Sequence, residues 1–248
     1  MCRHLAYLGP EICLEALLVT PPHSLLHQAR SARYQTSGNG NPDGYGVGWY
    51  APDGTVNRYR TTLPIWQDSH LDRMSRNVKA GAVLAAVRHA SPGSRVEVTG
   101  NAPFTAGPWL FSLNGVVDGF HWGVGDELRA LGSQRRLEAI EGITDSELLF
   151  ALVLDGIDAG ATPSEALAST VGEVMIRSTG RLNMLLTDGH SIAATAWSNS
   201  LFMRADDALI VASEPLDDDE GWNRVPDRTL VTATLDAIEL TPLEIGAP

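Results

Sequence analysis

Apolar residues run without a break through Ala82-Val83-Leu84-Ala85-Ala86-Val87. A run with no polar face predicts a strand covered on both sides. Segments 3–8, 46–51, 55–60 and 109–113 predict further strands, the last ending at Asn114-Gly115. Pro52-Asp53-Gly54 joins the second and third of these as a hairpin. Helical character covers 12–18, 23–32 and 66–79, and returns at 126–131, about 145–157 and about 162–177. Thr144-Asp145-Ser146-Glu147 opens one of these helices with a capping-box pattern. Strands return at 181–187, 191–197, 208–213 and 229–234. Strands, then central helices, then strands predict one α+β domain over residues 2–248, with helices covering sheets.

Composition narrows the function classes. Of the 248 residues, 44% are hydrophobic and 19% charged, as in ordinary globular chains. The formal net charge of −12 argues against a nucleic-acid or anionic-membrane partner. Asp217-Asp218-Asp219-Glu220 reads as a solvated loop. Two cysteines, Cys2 and Cys13, do not make a disulfide framework. No segment has the apolar core of a signal or the length of a membrane span, so a reducing cytoplasm is the expected compartment. The seven histidines show no metal-ligand spacing; His4 and His89 read as packing or surface residues, and no cofactor is expected.

Cys2 is the sharpest chemical feature. With two cysteines in 248 positions, chance places one at position 2 in under ~1% of chains. Removal of Met1 would give Cys2 both a thiol and a free α-amino group. That amine has an ordinary pKa of about 7.7–8.0, so one residue supplies nucleophile and base. Position alone leaves an incidental cysteine behind a retained Met1 equally open.

Four further motifs follow in order. They are Asn41-Pro42-Asp43-Gly44-Tyr45-Gly46-Val47-Gly48-Trp49, Val87-Arg88-His89-Ala90-Ser91, Phe111-Ser112-Leu113-Asn114-Gly115 and Thr144-Asp145-Ser146-Glu147. Behind Met1-Cys2-Arg3, this series resembles the class II glutamine amidotransferases and their stand-alone hydrolase relatives over nearly the whole chain. The resemblance implies a four-layer αββα N-terminal-nucleophile hydrolase sandwich, classed as α+β. It implies hydrolysis of a γ-glutamyl amide by Cys2, with Asn114 and Gly115 as the oxyanion hole. Arg88 and Asp145 would hold the glutamyl α-carboxylate and α-ammonium, and Ser91 would keep a hydroxyl contact. Asn101-Ala102-Pro103-Phe104 is one residue shorter than the family's Asn-x-x-Pro-Phe, so no role falls to Asn101, and Asp43 reads as a turn residue.

Ala212-Ser213-Glu214-Pro215-Leu216, with Trp222, is similar to the small stand-alone members, which implies a small-molecule γ-glutamyl substrate and no obligatory protein partner. Two alternatives stay open: a glutaminase subunit passing ammonia to a synthase, and a non-enzymatic γ-glutamyl binder that keeps Arg88 and Asp145.

Overall fold

A computed structural model describes residues 2–36, 38, 40–91 and 93–244. Met1, which belongs to the first motif above, lies outside the described residues, as do 37, 39, 92 and 245–248. In chain order, β1 (Arg3–Cys13) leads to α1 (Glu15–Leu18) and α2 (Leu25–Ser31). The hairpin β2 (Tyr45–Tyr50) and β3 (Val56–Thr61) follows, then α3 (His70–Asn77) and β4 (Lys79–Val87). Next come β5 (Phe104–Ala106), β6 (Trp109–Val117), α4 (Val124–Arg129), α5 (Gln134–Glu138), α6 (Asp145–Asp158) and α7 (Pro163–Arg177). The last segment holds β7 (Gly180–Thr187), β8 (Ile192–Ala196), β9 (Phe202–Ala205), β10 (Leu209–Ala212), β11 (Asn223–Arg224), β12 (Thr229–Ala233) and β13 (Ile238–Pro242).

Two antiparallel sheets form the centre. One has the order β11-β9-β10-β1-β4-β2-β3, the other β13-β12-β8-β7-β6-β5. Strand alternation sorts the side chains into layers. Leu5 and Tyr7 of β1, with Val83, Ala85 and Val87 of β4, pack against Leu17, Leu18 and Leu25 of α1 and α2. Ala6, Leu8, Ala82 and Leu84 point the other way and meet Leu110, Leu185 and Ala194 of the second sheet. Phe111, Leu113, Leu182, Met184 and Leu186 turn outward onto Leu148, Val153, Leu167 and Val171 of α6 and α7. The result is helix, sheet, sheet, helix: the αββα sandwich of an N-terminal-nucleophile hydrolase. Strand β4 is apolar on both faces because it serves two cores.

Several local expectations needed correction. β6 does not end at Asn114-Gly115 but runs on to Val117, with Asn114 opposite Asn183 and Gly115 opposite Leu182 on β7. Cross-strand pairing there outweighs the turn preference of the dipeptide. Ile12 and Cys13 belong to β1 beyond a bulge, so the first helix is only four residues long. The 66–79 helix is cut at Asp68, whose carboxylate accepts from Tyr45 Oη at 2.8 Å, Tyr59 Oη at 2.7 Å and His70 N at 2.8 Å.

Thr144 caps α6 by accepting from Glu147 N at 3.3 Å, but Glu147 does not close the box. Its carboxylate instead accepts from Glu141 N at 3.1 Å and Gly142 N at 2.8 Å. The complete box is on α7, where Thr162 accepts from Glu165 N and Glu165 accepts from Thr162 N. The short strands β5, β9, β11 and β13 are not among those expected from the sequence.

Candidate active site

The faces that meet between the sheets determine which side chains converge. Along β1 the even positions face the second sheet, and along β4 Ala82 and Leu84 do the same. Cys2 and Arg88 continue these rows at the strand ends, just outside the Arg3–Val87 pair. Beside them opens a cavity of about 360 Å³, lined by Cys2, Arg88, Ser91, Gly115 and Asp145 among others. Four sequence motifs thus reach one cavity. Cys2 is half-buried there, with Sγ 3.8 Å from the carbonyl oxygen of His89. Ser91 lies at the rim, exposed, and its carbonyl oxygen accepts from Ser94 N at 2.9 Å.

Arg88 is 8% exposed, and among the described residues no carboxylate forms an ion pair with it. The structural ion pair that would be the plain explanation for a buried arginine is therefore missing. Its guanidinium is held instead by neutral acceptors: Nη1 donates to Asn101 Oδ1 at 3.4 Å and Nη2 to the carbonyl of Arg95 at 3.2 Å. Gly100 forms the surface against it, because a Cβ there would come 2.9 Å from Nη2.

Asn101, given no role from the sequence, is thus a positioning residue for Arg88. It is fully buried, and its Nδ2 donates to Thr61 O at 2.7 Å. The spacing departure at Asn101-Ala102-Pro103 concealed it. Asp43 does more than turn the chain: its Oδ2 accepts from Ala90 N at 2.8 Å and its N–H donates to Arg88 O at 3.1 Å, clamping the end of β4. Gly44, at φ +116°, makes room for Asn101, whose amide a Cβ would strike.

Asp145 is the first residue of α6. One carboxylate oxygen accepts from Val117 N at 3.0 Å and the other from Ser146 N at 2.7 Å, so the residue ties the helix to the end of β6. Burial pushes its carboxyl above the usual aspartate range, opposed by those hydrogen bonds and by His121. This structural role leaves the expected binding role open, since Asp145 also lines the cavity.

Asn114 is fully buried behind the cavity wall that Gly115 and Val116 help form. Its Nδ2 donates to Ser213 Oγ at 3.1 Å, which occupies one of two N–H groups. Ser213 Oγ also accepts from His4 N at 3.0 Å, while Ser213 N donates to His4 O at 2.9 Å. Ser213 therefore locks Asn114 to the start of the Cys2 strand. Asn183, opposite Asn114, is already committed: Oδ1 accepts from Trp197 N at 2.8 Å and Nδ2 donates to Ser200 O at 3.1 Å. At Gly115 a Cβ would collide with the carbonyl oxygen of Arg181, so only glycine allows this approach. The Ala212-Ser213-Glu214 segment held the missed signal: Glu214, fully buried, pairs with Arg3 at 3.6 Å beneath Cys2. The acidic run after it is only partly a free loop, because Asp217 accepts from Trp222 Nε1 at 2.8 Å and Asp218 from Arg33 at 2.6 Å.

Comparison with known proteins agrees with this geometry. Residues 20–205 match the family described as glutamine amidotransferases class-II. The chain is 37% identical to the γ-glutamyl-hercynylcysteine sulfoxide hydrolase of Mycobacterium tuberculosis (strain CDC 1551 / Oshkosh), covering 98% of this chain and 97% of that one. Identity is also 37% to the hydrolase of the same name from Mycolicibacterium smegmatis, over 98% and 100%. Among solved structures, a glutamine aminotransferase class-II domain protein from Silicibacter pomeroyi superposes with a TM-score of 0.71 at 24% identity, covering 98% and 100%. The glutamine phosphoribosylpyrophosphate amidotransferase of B. subtilis gives 0.71 at 15% identity, over 99% of this chain and 50% of that one. The last two likenesses concern the fold. The chain belongs to the class II glutamine amidotransferase family.

Proposed function

We propose that this amidohydrolase cleaves the γ-glutamyl amide of γ-glutamyl-hercynylcysteine S-oxide, releasing glutamate and hercynylcysteine S-oxide in ergothioneine biosynthesis. The observation that carries the reading is the convergence of half-buried Cys2, buried Arg88 with no acidic partner among the described residues, and half-buried Asp145 on one cavity. The likeness to the mycobacterial hydrolases, which extends over 97% or more of their length, supports the substrate. Trp122, 88% exposed, and Phe120 line the same cavity and offer aromatic faces to a trimethylammonium group. No described helix is long and apolar enough to cross a membrane, and Cys2 and Cys13 are free thiols, which suits a reducing cytoplasm.

In this reading Met1 is removed and the Cys2 amine takes the thiol proton. The thiolate attacks the γ-carbonyl carbon, and the oxyanion forms against Asn114 and Gly115. Arg88 and Asp145 hold the glutamyl carboxylate and ammonium. On collapse, the C–N bond breaks and the Cys2 ammonium gives its proton to the departing amine, leaving a thioester. Water adds with the amine again as base, and glutamate leaves with the thiol restored. The test compares kcat/KM for γ-glutamyl-hercynylcysteine S-oxide, its demethylated histidine analogue and glutamine. The first should be cleaved best and glutamine far worse. Equal efficiency with glutamine would favour a glutaminase subunit instead.

A further inference from the structure

Strand β7 delivers one more charge to the cavity. Leu182, Met184 and Leu186 turn toward α6 and α7, and Leu185 turns toward the other sheet. Arg181 shares the alternation of Leu185 and Asn183, so it faces the gap between the sheets. It pairs with Val116, two residues along from the Asn114–Asn183 pair and on the same face, and it lines the cavity that holds Cys2. Its carbonyl oxygen packs against Gly115, which places its backbone beside the proposed oxyanion site.

Arg181 differs from Arg88 in its bonding. Nε of Arg181 is buried with no hydrogen-bond partner, and among the described residues no carboxylate lies within ion-pair distance of its guanidinium. Of the wall acids, Asp118, two residues beyond Val116, accepts from Thr179 Oγ1 through Oδ2 at 2.7 Å. A buried donor on a cation is costly to leave unpaired. The side-on Nε–Nη edge of a guanidinium fits a carboxylate with two parallel hydrogen bonds.

We propose that Arg181 is a specificity-determining residue that binds the carboxylate of the amino acid whose amine departs. This rests on the hydrolase reading of the cavity. Arg88 and Asp145 account for both charged ends of a glutamyl group. When the amide nitrogen comes from an α-amino acid, one carboxylate remains, two bonds beyond that nitrogen on the leaving side. Arg88 stands on one sheet and Arg181 on the other, so each wall contributes one anion site. Glutamine has no such carboxylate, which makes Arg181 a selector for γ-glutamyl amino acids over simple amides.

Calorimetry on the full chain carrying Cys2→Ala tests this with two probes, γ-glutamylglycine and γ-glutamylmethylamide, which differ by the leaving-side carboxylate. The readout is the ratio of their Kd values. It should favour γ-glutamylglycine by about ten-fold or more. Arg181→Ala should bring the ratio close to one, with Arg181→Lys between, since an ammonium keeps the charge but not the fork. The ratio is internal to each variant, so a general loss of affinity does not imitate the effect, and either substitution suffices if the other fails to fold. A ratio near one in the parent, or an unchanged ratio in the Arg181 variants, would overturn the proposal. If the ratio behaves as expected but the Cys2 enzyme hydrolyses neither probe nor the sulfoxide substrate, the hydrolase reading fails while Arg181 keeps its role.

Discussion

Asn101 Oδ1 accepts a hydrogen bond from Arg88 Nη1 at 3.4 Å, and it does so from a side chain with no exposed surface. A buried amide that also grips Thr61 O through Nδ2 cannot swing away, so it fixes the plane of the guanidinium. Asn101→Ala should weaken binding of γ-glutamyl compounds by about 1.5–3 kcal/mol, the range for a hydrogen bond to a charged group. Asn101→Asp should weaken it further, because a carboxylate there would neutralise Arg88. Calorimetric titration on folded variants checks both, and unaltered affinity in Asn101→Ala would show that Arg88 needs no such support.

Cys2→Ala should abolish glutamate release while retaining affinity, since Arg88 and Asp145 remain in the cavity. Arg88→Ala should lose binding and turnover together, by about 2–5 kcal/mol. Intact mass of active enzyme should show a chain beginning at Cys2. Full activity from molecules that all retain Met1 would contradict the α-amino base.

Asn114→Ala should slow the chemical step by about 10²–10³-fold, the usual loss of one oxyanion donor. Ser213→Ala removes the anchor on Nδ2 and the acceptor of His4 N but leaves the Asn114 donor in place; the lost anchor, worth about 0.5–1.5 kcal/mol, should slow the step by roughly two- to thirteen-fold. Single-turnover kinetics separate the two. Equal losses would assign both residues to shaping β6 alone.

His4 gives a pH signature. It is fully buried with Nδ1 2.8 Å from Ser112 Oγ; burial, then the charge of Arg3, push its pKa down to about 3 from an ordinary 6.5. Above 6.5 the ring is neutral in both states and its packing contribution is intact. As pH falls from 6.5 toward 3, the unfolded chain takes up a proton that the folded chain refuses. Stability should then drop by about 1.4 kcal/mol per pH unit from this group. Urea unfolding between pH 7 and pH 4.5 should show a shallower decline in His4→Asn. Identical slopes would mean that His4 does not stay neutral.

The sequence by itself determined most of the longer helices and strands and, through its family motifs, the αββα class, and it nominated Cys2, Ser91, Arg88, Asn114, Gly115 and Asp145 as site residues. Those features are local or ordered along the chain: an unbroken apolar run at 82–87, a cap at Thr144, a cysteine at position 2. Only the tertiary structure decided how the chain packs five of those residues around one cavity, with Asn114 behind its wall. It placed Asn114 inside a strand because pairing with β7 overrides a dipeptide's turn preference. It drew in Asn101, Ser213 and Arg181, which are 13, 99 and 93 residues from Arg88, Asn114 and Arg88 respectively. No periodicity encodes such distances. They arise because alternate positions on two stacked sheets face one gap, and the polar groups buried there must find partners in it or wait for a ligand to supply them.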